Sequence, residues 1–188
     1  MKARWFCSLM VAAGVLGNSG PAAGDSSFPL ALRLGMGIST ALQSNVRWSP
    51  GWAFQASALV PTARGWLFGL AFNLRDDYLD LGPFDGHRYM IMELSSILGY
   101  RMSTSPISSY GRLGIGMAYV NYSPGRAGFP AILGVAGSKW APALQLGAGL
   151  ELPLGGGIEV FIDAGVDAIR GTWPYTSGAL ILGLAARR

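Results

Sequence analysis

A two-residue alternation that returns eight times limits what this chain can fold into. In "ALRLGMGIS", residues 31–39, Leu32, Leu34, Met36 and Ile38 share one parity, and Ala31, Arg33, Gly35, Gly37 and Ser39 the other. Extended strands place successive side chains on opposite faces, so this period predicts a strand with one apolar and one mixed face. The segment is read as residues 29–39. In "GWAFQASALV", Trp52, Phe54, Ala56, Ala58 and Val60 oppose Gln55 and Ser57, and in "GWLFGLAFNLR", Trp66, Phe68, Leu70, Phe72 and Leu74 oppose Gly69, Ala71, Asn73 and Arg75. From about 87 to 102, Met90, Met92, Leu94, Leu98 and Tyr100 oppose Glu93, Ser95, Gly99 and Arg101. About 109–122 sets Leu113, Ile115, Met117 and Tyr119 against Arg112, Gly114, Gly116 and Ala118. About 140–152 sets Leu144, Leu146, Ala148, Leu150 and Leu152 against Gln145, Gly147, Gly149 and Glu151. Residues 157–168 set Ile158, Val160, Ile162, Ala164 and Val166 against Glu159, Asp163, Gly165 and Asp167. The last, about 177–186, opposes Leu180, Leu182 and Leu184 to Ala179, Ile181 and Gly183.

The connections alternate as well. "PTARG", "STSPI" and "PLGGG" are Gly/Pro/Ser-rich turns after segments two, four and six, whereas residues 40–50, 76–86, 123–138 and 169–176 form longer links. An even strand number with short turns at one end and longer loops at the other predicts an all-β, eight-stranded, antiparallel up-and-down transmembrane β-barrel. The segments suit the roughly 9–11 residues that a tilted strand needs to cross a bilayer.

Composition decides which face meets the lipid. Charged residues are 13% of the chain, against about 25% in ordinary globular proteins. There are 28 glycines, and mean hydropathy is +0.35. The mixed parity is mostly Gly, Ala and Ser with scattered Arg, Glu and Asp, which suits a narrow interior better than a water-facing surface. Long rows of Leu, Met, Phe and Trp suit hydrocarbon. Trp48, Trp52, Tyr119, Tyr122 and Trp140 fall toward the long-loop end, and Trp66 and Tyr100 toward the turn end, as two interfacial girdles.

The N-terminus reads as an export signal: Lys2 and Arg4, an apolar run from Trp5 to Leu16, then the small-residue stretch "GNSGPAAGDSS". The expected division is a signal peptide, 1–24, and a barrel domain, 25–188. The only cysteine, Cys7, leaves with the signal, so the mature chain has no disulfide or thiolate site. Taking Lys2 and Arg4 from the 14 basic residues leaves 12 against 10 acidic, without a basic cluster, which excludes a nucleic-acid partner.

This pattern, over residues 28–186, resembles the small eight-stranded outer-membrane barrels of the OmpA/OmpX/OmpW-like class. The resemblance implies location in the cell outer membrane, reached through the periplasm with its chaperones and the barrel-assembly machinery, and contact with outer-membrane lipid and lipopolysaccharide. A monomer is expected. One departure is the ending "LILGLAARR", where that class typically ends its final strand in an aromatic residue, usually Phe.

Eight strands enclose a space that side chains fill. The expected lumen charges are Arg33, Arg75, Glu93, Arg101, Arg112, Glu151, Glu159, Asp163 and Asp167. Glu151 and Glu159 flank the turn at Gly155, and Arg101 and Arg112 are their expected counter-charges, because buried charges require partners. No catalytic, cofactor or metal site is expected. His87, the only histidine, stands in "HRYM", with Tyr89 where barrel lipid A deacylases carry the serine of His-x-Ser, and it reads as a loop-end residue. The acidic link with Asp76, Asp77, Asp80 and Asp85 reads as a solvated loop, with a divalent ion or bridged lipopolysaccharide phosphates as the alternative. The expected function is a non-enzymatic envelope-structural or surface-interaction barrel. The alternative is a narrow, porin-like path for small solutes, motivated by inward Gly35, Gly37, Gly114, Gly116, Gly147 and Gly149, and a lipid A-modifying enzyme stands third.

Overall fold

In the computed structural model the described residues are 30–42, 47–80, 87–104, 106–123, 137–170 and 175–187. The side chains of 47–49, 78–80, 87, 88, 122, 123, 137 and 138 lie outside that description. Eight strands run in chain order: β1 (Ala31–Ala41), β2 (Arg47–Pro61), β3 (Trp66–Asp80), β4 (His87–Thr104), β5 (Ile107–Ser123), β6 (Gly137–Gly155), β7 (Ile158–Ile169) and β8 (Tyr175–Arg187). Each pairs antiparallel with the next, and β8 returns to β1, Ala31 opposite Arg187 and Ala41 opposite Ser177, so the sheet closes without an edge. The expected signal peptide falls outside the described residues.

The face assignment follows the alternation. Leu146 is 65% exposed on the outside, while its neighbour Gln145 is 1% exposed within. The outer band holds exposed Leu, Ile, Met, Phe and Trp, with every strand contributing and β2 represented by Trp52.

Turns close the sheet where the sequence places them. Between β2 and β3, Gly65 (φ 85°) donates its N–H to the Thr62 carbonyl at 3.0 Å, and Thr62 Oγ1 accepts from Trp66 N at 3.1 Å. Between β6 and β7, Gly155, Gly156 and Gly157 all have positive φ, a run that side-chain-bearing residues adopt only under strain.

At the opposite end the strands run further than the alternation indicated. β3 continues through Asp80, and β4 and β5 pair as far as Arg88 opposite Ser123. β5 and β6 pair to Tyr122 opposite Gly137, whereas β7 stops at Ile169 opposite Ala143. Asp76 and Asp77 are therefore strand residues, not parts of a solvated loop. The register shift in β2 between Ser49 and Trp52 accommodates them. Asp80 lies in β3 by its backbone, and Asp85 falls outside the described residues.

Candidate functional site: the charged lumen

Inward charged side chains gather in three groups along the lumen. At the turn end, Arg33 of β1, Arg101 of β4 and Arg187 of β8 converge on Glu151 of β6 and Glu159 of β7. Arg33 Nη2 donates to Glu151 Oε1. Arg101 Nε lies 3.0 Å from Glu151 Oε2, and Arg101 Nη2 donates to Glu159 Oε1 at 3.2 Å and Ser108 Oγ at 2.9 Å. Arg187 Nη2 is 2.8 Å from a carboxylate oxygen of each glutamate. The two carboxylates are not directly opposed, since Glu151 faces Phe161 and Glu159 faces Pro153 in the ladder. Shared guanidinium groups offset their repulsion.

The middle layer corrects one expected pairing. Arg112 does not reach the glutamates of the turn end; it engages Asp163 bidentately, Nε to Oδ2 at 3.0 Å and Nη2 to Oδ1 at 2.7 Å, and gives Nη1 to Gln145 Oε1 at 2.9 Å. Tyr110 Oη donates to Asp163 Oδ2 at 2.7 Å. Glu93 accepts from Ser95 Oγ at 2.6 Å and Gln145 Nε2 at 2.7 Å. Toward the long-loop end, Arg75 pairs with Asp167 and donates to Ser177 Oγ, while Asp77 accepts from Ser39 Oγ and Tyr175 Oη. Thus each of the nine expected lumen charges has a hydrogen-bonding or ion-pairing partner. Such pairing is the condition for holding charge in a dry interior.

Among the contributors absent from the sequence reading are Arg187, Tyr110, Phe161 and Tyr175, the donor to Asp77. Arg187 lies past the last segment as drawn, although its inward parity matches Ala185. Tyr110 and Phe161 are inward aromatics: the Arg33 guanidinium lies 4.3 Å from the Tyr110 ring centroid and 5.7 Å from that of Phe161. These rings occupy the room that the glycines leave. A Cβ on Gly35 would sit 2.9 Å from Phe161 Cζ, and one on Gly147 would sit 2.9 Å from Arg112 Nε. A methyl on Gly149 would overlap the Tyr110 hydroxyl and the Ile162 carbonyl oxygen. Gly149→Ala is therefore expected to lower stability by about 1–3 kcal/mol, the usual cost of overpacking, measured by urea unfolding in micelles.

On the outer surface, Trp66 and Tyr100 are ladder partners at the turn end, ring centroids 5.2 Å apart and edge-on. Tyr119 and Trp140 pair at the other end at 5.3 Å. Trp52 Nε1 donates to Asp76 Oδ2 at 2.9 Å, which keeps a carboxylate of outward parity buried. Trp48 and Tyr122 belong to β2 and β5 by their backbone; their side chains, like those of His87 and Arg88, lie outside the described set. Trp52→Phe keeps an aromatic, though smaller, ring and removes the indole donor to a buried carboxylate. A loss of about 1–3 kcal/mol is expected, read as a lower melting temperature in detergent.

No protein-family model matches the chain, and no curated protein matches it in sequence. Solved structures do match in fold. Neisserial surface protein A superposes with a TM-score of 0.61 at 11% identity, covering 84% of this chain and 96% of that one. Ail, the attachment invasion locus protein of Yersinia pestis, gives 0.57 at 16% identity, covering 87% and 100%. A major outer membrane protein from Thermus thermophilus gives 0.57 at 15% identity, covering 85% and 98%. At these identities the likeness carries the fold, a small eight-stranded outer-membrane barrel.

Proposed function

We propose, taking the small outer-membrane barrel fold as the premise, that this protein is a non-enzymatic barrel of the outer membrane with an envelope-structural or surface-interaction role. In this reading residues 1–24 are removed on export, periplasmic chaperones and the barrel-assembly machinery deliver the chain, and it stands as a monomer among lipid and lipopolysaccharide. The observation that carries the proposal is a closed barrel with a continuous apolar exterior and a lumen occupied by paired charges and aromatic rings. A surface role fits two of the neighbours in fold, whose names describe a surface protein and an attachment protein.

Against the pore alternative, Phe161, Arg112 and Tyr110 pack against Gly35, Gly147 and Gly149, three of the six lumen glycines that suggested it. Reconstituted in planar bilayers, the protein is expected to give no stable single-channel steps; regular steps would overturn the plugged-lumen reading. Unaltered lipid A in cells overproducing the protein is the expected result against the enzymatic alternative. Unboiled detergent extracts are expected to migrate differently from boiled ones, as a closed barrel that resists the detergent should.

A further inference from the structure

Arg33 is 4% exposed, donates through Nη2 to Glu151 and lies over the Tyr110 ring, yet its Nε has no hydrogen-bond partner. A buried N–H without an acceptor costs about 1–3 kcal/mol, so an acceptor is to be sought in the adjoining space. A cavity of about 10 Å3 lies there, lined by Arg33, Gln55, Ser57, Leu59, Ala71, Ile97 and Arg112.

We propose that this cavity binds one water molecule, which accepts from Arg33 Nε–H and donates to Ser57 Oγ and the Gln55 side-chain oxygen. Size and chemistry both point to this occupant. On this measure a water needs about 10–15 Å3 and two to four polar partners, so there is room for one and not for a file. Gln55 spends its amide nitrogen on Asn73 Oδ1 at 3.1 Å, which leaves its oxygen to accept. Arg112 is already held by bonds from all three of its nitrogens to Asp163 and Gln145, so it stands as a fixed wall of the cavity, with one N–H left on each of Nη1 and Nη2. An anion is disfavoured because both arginines already face carboxylates, Glu151 and Asp163. Leu59, Ala71 and Ile97 line the rest of it with carbon. The water completes the polar packing between the turn-end and middle layers. It is isolated, so it provides no hydrated path along the axis.

The test is a high-resolution crystal structure of the detergent-extracted protein, with bromide replacing chloride in a parallel crystal. One spherical density peak within hydrogen-bond distance of Arg33 Nε and Ser57 Oγ, without bromide anomalous signal, is the expected result. An empty cavity, a bromide peak, a row of waters along the axis, or a protein acceptor on Arg33 Nε would overturn it. In solution, a nuclear Overhauser effect between Arg33 Nε–H and a long-lived water is expected, and Ala71→Val, whose added methyls enter the cavity, should abolish it. Survival of that signal in the folded variant would contradict the assigned site. The outcome is independent of whether the loops engage a surface partner.

Discussion

Leu146→Arg is expected to prevent membrane assembly, while Gln145→Arg, one residue away, is expected to assemble. Leu146 lies between Leu113 of β5 and Val166 of β7 on the outer face, well inside the ends of its strand. An arginine near the bilayer midplane costs about 2–4 kcal/mol, and there it has no carboxylate to meet. At position 145 the side chain points inward and already contacts Glu93, so a guanidinium arrives beside a carboxylate. That change still removes the oxygen that Arg112 Nη1 uses, and so Gln145→Arg should be assembled but less stable than the wild type. Counting heat-modifiable protein in membrane fractions separates the two. Equal yields would contradict the assignment of faces.

Glu151→Ala should cause the second large effect. Three guanidinium groups, from Arg33, Arg101 and Arg187, contact this one buried carboxylate. Its removal leaves Glu159 to serve Arg101 and Arg187, and leaves Arg33 without its ion pair. Removing one partner of a buried ion pair typically costs about 3–5 kcal/mol, because the remaining charge stays desolvated. The urea midpoint for unfolding in micelles is expected to fall accordingly. Glu151→Gln should lie between the two, since it retains an accepting oxygen while losing the charge. The network joins β1, β4, β6, β7 and β8, and thus ties the seam between first and last strands into the lumen. An unchanged midpoint for Glu151→Ala would mean that these pairs add nothing to barrel closure.

Strand number, faces and turn positions were legible in the sequence because each depends on local pattern. Period two sorts residues by face, and Gly/Pro/Ser runs mark the turns. The partner of Arg112 was not legible. Which inward residues share a depth depends on strand tilt and stagger, and these are properties of the closed sheet, not of any one hairpin. On their hairpin Arg112 lies opposite Gly99, two rungs further from the turn than Arg101, and the two reach different acids, Asp163 and Glu151. Asp76 and Asp77 looked like loop residues because paired aspartates suit solvent. Their burial depends on a bulge in the neighbouring strand and on donors from Ser39, Trp52 and Tyr175, all distant in sequence. Tyr110 and Phe161 escaped notice because an inward face that is mostly small draws attention to its charges and not to the few rings that fill it.

Hydrocarbon is the solvent of the outward parity. With Cys7, the only cysteine, replaced by Ser, single cysteines introduced at Leu144, Leu146, Ala148 and Leu150 of β6 can be spin-labelled cleanly. In reconstituted bilayers these labels are expected to be relaxed strongly by dissolved oxygen, which partitions into lipid, and weakly by a water-soluble nickel complex. Nickel relaxation at position 146 as strong as that of a label in the Thr62–Gly65 turn would contradict it.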